Sequence, residues 1–309
     1  MVSTQKFRGI NAQIVGLAVG LLFVVFAVSS SVSAAVENPS TSDRESITLS
    51  PASKKYKLKP GTEKNDVLTV INDGTSKYTF ITYARPYSVN DESYAPDFTN
   101  DAKNADAYKW VQFDNASYEI QPGEMIEIGY TIRVPKDATP GGHYGVMFAE
   151  TQTQGAVEGT GVERKKRVGS ILYMTVDGDV KLKGSLQSTD VPLFQTSPPL
   201  RISQRVENTG NTDFDVTSSV QVSGLFGGVK HKAESSYSVL PSTTRNFSLD
   251  WQNPAWMGVY KVEVNTALLD SNEKSTHYVL LIPAWVYIVF GVLIGARVAY
   301  GYALSRRKR

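Results

Sequence analysis

Near its C-terminus the chain carries eighteen consecutive uncharged residues, from Val279 to Ala296. A helix rises about 1.5 Å per residue, so this run would reach roughly 27 Å, close to the thickness of a bilayer's hydrocarbon core. Pro283 falls in the first turn, where its missing N–H costs no hydrogen bond. The run therefore predicts one transmembrane helix, within a segment from 276 to 304. The alternative, a buried helix of a soluble domain, would need a following segment to cover it.

Residues that flank this run predict its orientation. Aromatic side chains, which favour the headgroup region, lie at both ends: Tyr278, Trp285, Tyr287, Tyr300 and Tyr302. The tail at 305–309 holds four basic residues. Because positive side chains stay on the cytoplasmic side, we expect a single-pass protein of the cell membrane, with an outer ectodomain and a basic cytoplasmic C-terminus.

The N-terminus also predicts export. Lys6 and Arg8 precede an apolar stretch that ends in small residues, which is the order of parts in a secretory signal peptide. We assign 1–35 to the signal peptide and 36–43 to a linker. The apolar stretch is long, so an uncleaved anchor is the alternative. In both cases the middle of the chain is exported to the outer side of the membrane.

Charge and cysteine content limit the functions that this middle part of the chain can have. Seven of the 32 Lys and Arg residues lie in the terminal segments, which contain no Asp or Glu. The 25 that remain face 30 acidic residues, which gives the ectodomain a net charge of −5. An acidic exported domain argues against nucleic acid as a partner. The chain has no cysteine, so stability depends on a hydrophobic core, and thiol catalysis is excluded.

Apolar and polar residues alternate along most of the ectodomain. In 125–134 the residues Ile126, Ile128, Tyr130, Ile132 and Val134 face one side, and 214–222 and 260–268 repeat the pattern. Such a period of two indicates half-buried strands, which here are separated by Gly, Pro, Asn and Asp. We predict an all-β ectodomain.

A faint internal repeat predicts two domains. The pattern V-x-N-x-G-x-x-x-aromatic occurs at 70–78 and 206–214, and G-x-Y-x-V follows at 142–146 and 258–262. The N-x-G segments are read as turns between two strands, built from residues that tolerate positive φ. The interval from Asn72 to Pro122 is 50 positions and that from Asn208 to Pro241 is 33, so we place an insertion at 88–109. The prediction is two tandem immunoglobulin-like β-sandwiches, 44–183 and 184–275. Chance matches among common turn residues are the alternative.

The first domain resembles a known family at several segments. These are Leu49-Ser-Pro51, Gln121-Pro-Gly123, the stretch 132–148 (IRVPKDATPGGHYGVMF) and the strand 167–176. Together with the order of segments, they are similar to WxL-interacting proteins, whose first domain binds peptidoglycan. The resemblance implies a Gram-positive-type envelope protein that contacts wall polymer with one domain and a surface protein with the other.

Motifs for catalysis, metals or cofactors are not found in the sequence. The three histidines, His143, His231 and His277, do not have metal-ligand spacing, and there is no G-x-S-x-G elbow. His143 is expected to be packed or solvated. The glycine-rich stretch 155–161 is read as a hairpin tip. We therefore predict a protein without catalytic activity and without a cofactor or metal.

Two stretches are candidate binding sites. The inserted loop and its flanks carry aromatic and acidic residues suited to sugars, and we select Tyr83, Tyr87, Tyr94, Asp97 and Trp110. The alternative is a loop held over the sandwich by its own aromatic rings. The second candidate is a basic cluster that suits phosphate-rich polymers, formed by Arg164, Lys165, Lys166 and Arg167. The alternative for this cluster is that it forms the solvated end of a strand and binds no ligand.

These features predict a membrane-anchored surface protein that binds envelope glycan or a neighbouring surface protein. An exposed sheet edge could take part in binding by pairing with a partner strand. The alternative function is a chaperone-like or assembly component of surface-protein export, which would hold its clients in a long hydrophobic edge groove.

Overall fold

A computed structural model describes residues 46–100, 102–152, 165–254 and 257–307. The predicted signal peptide, the linker, the glycine-rich stretch 155–161, Arg164 and the last two residues of the tail lie outside these ranges. The described chain consists of two β-sandwiches followed by one helix, which confirms the predicted fold class.

The first sandwich is built from two antiparallel sheets with one parallel edge pairing. One sheet has the order β1-β3-β9-β7, and the other has the order β2-β11-β10-β4-β8. A small hairpin, β5–β6, and a 3-10 helix at Ala107–Trp110 lie between β4 and β7. The strands are β1 (Ile47–Ser50), β2 (Ser53–Leu58), β3 (Glu63–Asn72), β4 (Tyr78–Pro86), β5 (Ser88–Val89), β6 (Pro96–Asp97), β7 (Val111–Phe113), β8 (Ser117–Ile120), β9 (Met125–Arg133), β10 (Gly141–Thr151) and β11 (Arg167–Val176).

The second sandwich repeats this plan in a shorter form. Its sheets have the orders β12-β14-β17 and β13-β19-β18-β15-β16. In both sandwiches the first strand pairs with one sheet, and the next strand pairs in parallel with the last strand of the other sheet. The strands are β12 (Gly184–Asp190), β13 (Phe194–Gln195), β14 (Ser203–Asn208), β15 (Phe214–Gly224), β16 (Val229–Val239), β17 (Thr243–Ser248), β18 (Gly258–Leu268) and β19 (Ser271–Leu281).

The two asparagines of the internal repeat occupy equivalent places. Asn72 ends β3 and Asn208 ends β14, and both are fully buried. Each side-chain Oδ1 accepts the N–H of the glycine two residues later, at 2.9 Å in Gly74 and 2.8 Å in Gly210. Each Nδ2 donates to the carbonyl four residues later. The repeat is therefore a repeated turn structure.

The reason for the glycine in this turn differs from the prediction. Neither Gly74 nor Gly210 has a positive φ. A Cβ on Gly210 would instead lie 2.2 Å from the carbonyl oxygen of Lys181. At this position the glycine allows a close approach of two backbone segments, so the positive-φ explanation was wrong.

The alternating residues form the cores as predicted. Ile128, Tyr130 and Ile132 of β9 are buried, and their polar neighbours are exposed or half-buried. The buried residues Phe214, Val216, Val220 and Val222 alternate in the same way along β15. Strand β10 is different, because residues on both of its faces are buried. Its second face is covered by the inserted loop and by the second sandwich.

The C-terminal helix α1 runs over Ala284–Arg307 and begins later than predicted. Val279, Leu280 and Leu281 belong to β19, and Val279 and Leu281 are buried in the core of the second sandwich. An apolar run alone does not separate the end of a buried strand from a following helix. The second sandwich therefore extends past 275, and the helix includes the start of the predicted tail. Its length and composition suffice to cross a membrane.

Candidate functional site

The inserted loop lies where the sequence places it, between the strands equivalent to β15 and β16. In the second sandwich only the turn Leu225–Gly228 connects those two strands. In the first sandwich the connection from β4 to β8 contains the β5–β6 hairpin, the 3-10 helix and β7. This extra segment creates both the interdomain contact and the groove described below.

Three of the predicted sugar-binding rings are buried in the fold. Tyr87, Tyr94 and Trp110 are 6%, 9% and 7% exposed. Trp110 packs on His143, with ring centroids 4.6 Å apart, and Tyr87 packs edge-on against Tyr173. A sugar needs an open ring face to stack on, so these three residues do not form the predicted binding platform. The three residues instead fit the alternative prediction, in which the loop is held in place by its own aromatic rings.

Tyr94 joins the two sandwiches. Its hydroxyl accepts the backbone N–H of Leu240 at 2.9 Å and is hydrogen-bonded to Thr243. The guanidinium of Arg245 lies 4.4 Å from its ring centroid. Burial raises the pKa of the Tyr94 hydroxyl, so it stays neutral and keeps these bonds. Tyr94 is also a rare non-glycine residue with positive φ, at 62°.

Further contacts surround this anchor. The carboxylate of Glu92 accepts two bonds from Arg205, and its carbonyl accepts the N–H of Asn246 at 2.7 Å. Tyr144 donates to Asp213 at 3.0 Å. Side chains of both sandwiches share one apolar cluster: Tyr87, Tyr94, Tyr144, Val146, Phe148, Tyr173, Val206, Phe214, Val216, Val239, Leu240, Phe247 and Leu268. The two domains are therefore fused through a common core.

An open groove of about 800 Å³ lies on the other side of the inserted loop. It is bordered by Arg85 at the end of β4 and by Arg167 at the start of β11, and Phe98 and Tyr108 contribute aromatic surface. The Arg167 guanidinium lies 4.5 Å from the Phe148 centroid and 5.8 Å from the Phe98 centroid. We call this feature the arginine groove.

The two guanidiniums of the arginine groove have polar neighbours, since Glu150 is paired opposite Arg167 and the Tyr83 hydroxyl is hydrogen-bonded to both residues. Among the described residues, no carboxylate lies within ion-pair distance of Arg85 or Arg167, and both side chains are exposed. Lys165 and Lys166, which precede β11, are also exposed. Guanidinium groups that stack on aromatic rings and keep free N–H donors suit carboxylate or phosphate ligands.

The predicted residues Asp97 and Tyr83 lie at or beside this groove, where their side chains stabilise the local structure. Asp97 lines it, but Oδ1 accepts the N–H and hydroxyl of Thr99 and the N–H of Asn100, and these bonds lower its pKa. Its carboxylate thus shapes the loop. Tyr83 is half-buried and donates to Glu150, and burial raises its pKa.

The groove brings together one residue of each predicted site, Asp97 and Arg167, and Tyr83 contacts it through the Arg85 guanidinium. Sequence reasoning missed Arg85. It follows Tyr83 by two positions on a strand, so the two side chains share a face, and the Arg85 guanidinium lies 5.5 Å from the Tyr83 centroid. The alternation of side chains along a strand is the sequence signal that would have added Arg85 to the predicted site.

His143 has a structural environment. It is 3% exposed, Nδ1 is 2.7 Å from Asp106 Oδ1, and Nε2 is 2.7 Å from the carbonyl oxygen of Thr139. Burial lowers the His143 pKa, but the bonds to Asp106 and Thr139 outweigh it, so the pKa is raised. In the part of the chain that the structure describes, no group of three acidic or histidine residues is placed to hold a metal.

Comparison with known proteins finds distant structural similarity. No protein-family profile matches the chain. No curated protein sequence matches it either. Similar solved structures include the YadV chaperone (11% identity, TM-score 0.40, 74% of this chain and 99% of that one). Others are the Salmonella enterica SafA pilin in complex with the SafB chaperone (10%, 0.39, 78% and 97%) and the E. coli chaperone DraB (12%, 0.38, 76% and 97%). At these identities and TM-scores the likeness is limited to a general β-sandwich architecture.

Proposed function

We propose that this protein is a membrane-anchored binding protein of the cell surface, with its ectodomain outside and its basic C-terminus in the cytoplasm. The helix α1 is its single span. The observation that carries the proposal is the arginine groove, where two exposed guanidiniums have no carboxylate of the described residues within ion-pair distance, on an ectodomain of net negative charge. We assign no catalysis to it.

The ligand of the groove is proposed to be anionic. A guanidinium binds phosphate or carboxylate through two parallel hydrogen bonds, and each charge-assisted bond contributes about 1.5–3 kcal/mol. The flat, open shape of the groove suits an extended chain better than a small molecule. Phosphate-bearing wall polymer, as implied by the family resemblance, and an acidic segment of a partner surface protein both fit this chemistry.

Sedimentation tests the proposal with an ectodomain of residues 36–282, which includes the whole of β19. The ectodomain is mixed with insoluble peptidoglycan that either carries or lacks its anionic polymers. Binding only to the first form identifies wall polymer, and binding to neither directs the search to a surface protein by crosslinking. The two sandwiches are kept together because they share a core.

Charge reversal tests the groove itself. The double variant Arg85→Glu/Arg167→Glu should lose about tenfold or more in affinity for whichever ligand is found. The variant Lys232→Glu/Lys274→Glu is the matched control, because it makes the same change of net charge on the second sandwich. Equal binding by the two variants would place the ligand elsewhere.

One observation favours the second candidate, a chaperone-like or assembly component. Strand β2 pairs with β11 only from Ile171 onward, and no other strand among the described residues pairs with Arg167–Ser170 on that side. The N–H of Ile171 points to β2, and Gly169, two residues earlier, faces the same side. A partner strand could pair there.

A photoreactive group at Lys166, which is exposed and directly precedes this edge, distinguishes this candidate. A client that is chaperoned crosslinks before it reaches the surface and is released afterwards, whereas a bound surface protein crosslinks at steady state. If no crosslink forms at any stage, strand pairing at this edge is excluded.

A further inference from the structure

The end of the second sandwich from which α1 starts is defined by strand register. Leu281, the last residue of β19, pairs with Gly258, and Phe194 pairs with Leu280. Gly224, the last residue of β15, pairs with Tyr260. Three loops therefore meet at this end, at 191–199, at 224–229 and at the described residues 251–254 and 257–258. The first sandwich is docked at the opposite end, where Val239 pairs with Phe214.

Large apolar side chains are exposed on these loops. Leu193 is 81% exposed, Phe194 64% and Phe226 100%, and Leu225 and Met257 are also exposed. The three loops contain no charged residue. Single exposed apolar residues are common, but a group on three adjoining loops indicates a surface that another apolar phase covers.

The connection to α1 holds this surface close to the start of the helix. Only Ile282 and Pro283 separate β19 from Ala284. The N–H of Ile282 donates to Gln195 at 3.0 Å, so the paired structure reaches the residue before the proline. Three Cα–Cα steps of about 3.8 Å limit the distance from Leu281 to Ala284 to roughly 11 Å. No linker is available to lift the sandwich away from a membrane that α1 crosses.

We infer that the three loops insert into the outer interfacial layer of the bilayer, with Leu193, Phe194, Leu225, Phe226 and Met257 in contact with lipid. This inference rests on the proposed membrane span of α1. Apolar and uncharged side chains favour this layer, and burial of such area is favourable. The contact would fix the second sandwich upright on the membrane and, through the shared core, hold the arginine groove at a constant height.

The absence of cysteine makes a direct test possible. Single variants Phe226→Cys, Leu193→Cys, Val292→Cys and Asn272→Cys of the full chain carry a fluorophore. Each is reconstituted into vesicles of phosphatidylcholine and phosphatidylglycerol with brominated acyl chains, which quench only fluorophores in contact with lipid. Asn272, exposed at the far end of the second sandwich, provides the baseline, and Val292 reports on the span.

We expect severalfold stronger quenching at Phe226→Cys and Leu193→Cys than at Asn272→Cys. Quenching at Val292→Cys with baseline values at both loop positions would overturn the inference and leave the span intact. Baseline quenching at Val292→Cys would overturn the span itself. If both loop labels are protected from aqueous iodide but not quenched by the lipid, a second copy covers the surface, and the inference is also wrong.

Discussion

The two sandwiches have the same strand plan but use one connection differently. Between β4 and β8 the first sandwich has a long insertion, which buries its rings, contacts the second sandwich and borders the arginine groove. Between β15 and β16 the second sandwich has a short turn, and its tip presents Leu225 and Phe226 to the outside. The two sandwiches therefore present different surfaces because this one connection differs in length between them.

The largest effect of a substitution is expected at Tyr94, the residue through which the insertion contacts the second sandwich. Tyr94→Ala should lower the free energy of unfolding of the ectodomain by about 3–5 kcal/mol, because a buried ring is lost and a cavity remains. Tyr94→Phe should cost less, about 1–3 kcal/mol, since the N–H of Leu240 is left without its acceptor. Urea denaturation measures both.

The control for Tyr94 is Phe226→Ala, because Phe226 is fully exposed in the soluble ectodomain. Its effect should stay within about 0.5 kcal/mol. A cost of Tyr94→Ala as small as that of Phe226→Ala would show that the insertion does not hold the two sandwiches together.

The equivalence of the two sandwiches is tested at the repeated asparagine. Asn72→Ala and Asn208→Ala should each cost about 1–3 kcal/mol, because each removes the two side-chain hydrogen bonds that hold the turn, one to the glycine N–H and one to the carbonyl four residues later. Asn208 should cost more, since its Nδ2 also donates to the carbonyl of Val239 at 2.8 Å. Urea denaturation of both variants measures this order, and a neutral result at either site would contradict a shared structural role.

A pH-dependent effect is expected in the first sandwich, at His143. Its pKa is raised in the folded state, so the protonated form adds stability below its unfolded value of about 6.5. This contribution is lost as the pH rises through the folded pKa. Asp106→Asn should therefore reduce the thermal midpoint more at about pH 5.5 than at about pH 8.5. An equal reduction at both pH values would rule out this linkage.

The smallest effect is expected at the exposed ion pair between the insertion and the second sandwich. Glu92→Gln should lower the thermal midpoint slightly at low salt, because solvent screens both side chains. The difference should vanish at about 1 M NaCl, where the screening length is about 3 Å. A salt-independent loss would instead assign the effect to packing.

Much of the fold could be predicted because its signals are local. The alternation in β9 and β15 follows from the pleat of a strand with one buried face, and the N-x-G repeat marked the same turn in each sandwich. The end of β19 could not be predicted in this way. Val279 and Leu281 are as apolar as the helix that follows, and only strand pairing separates them from it.

Residue spacing and loop length directly encode the two-sandwich plan, the apolar helix and the place of the insertion, so these features follow from local patterns in the chain. Which aromatic rings are buried, and which side chains surround each charge, depends on how distant segments pack. Tyr94 and Phe98 belong to one loop, yet Leu240 and Thr243 surround the first, and Arg167 stacks on the second. Those contacts join residues far apart in the chain, and no local pattern contains them.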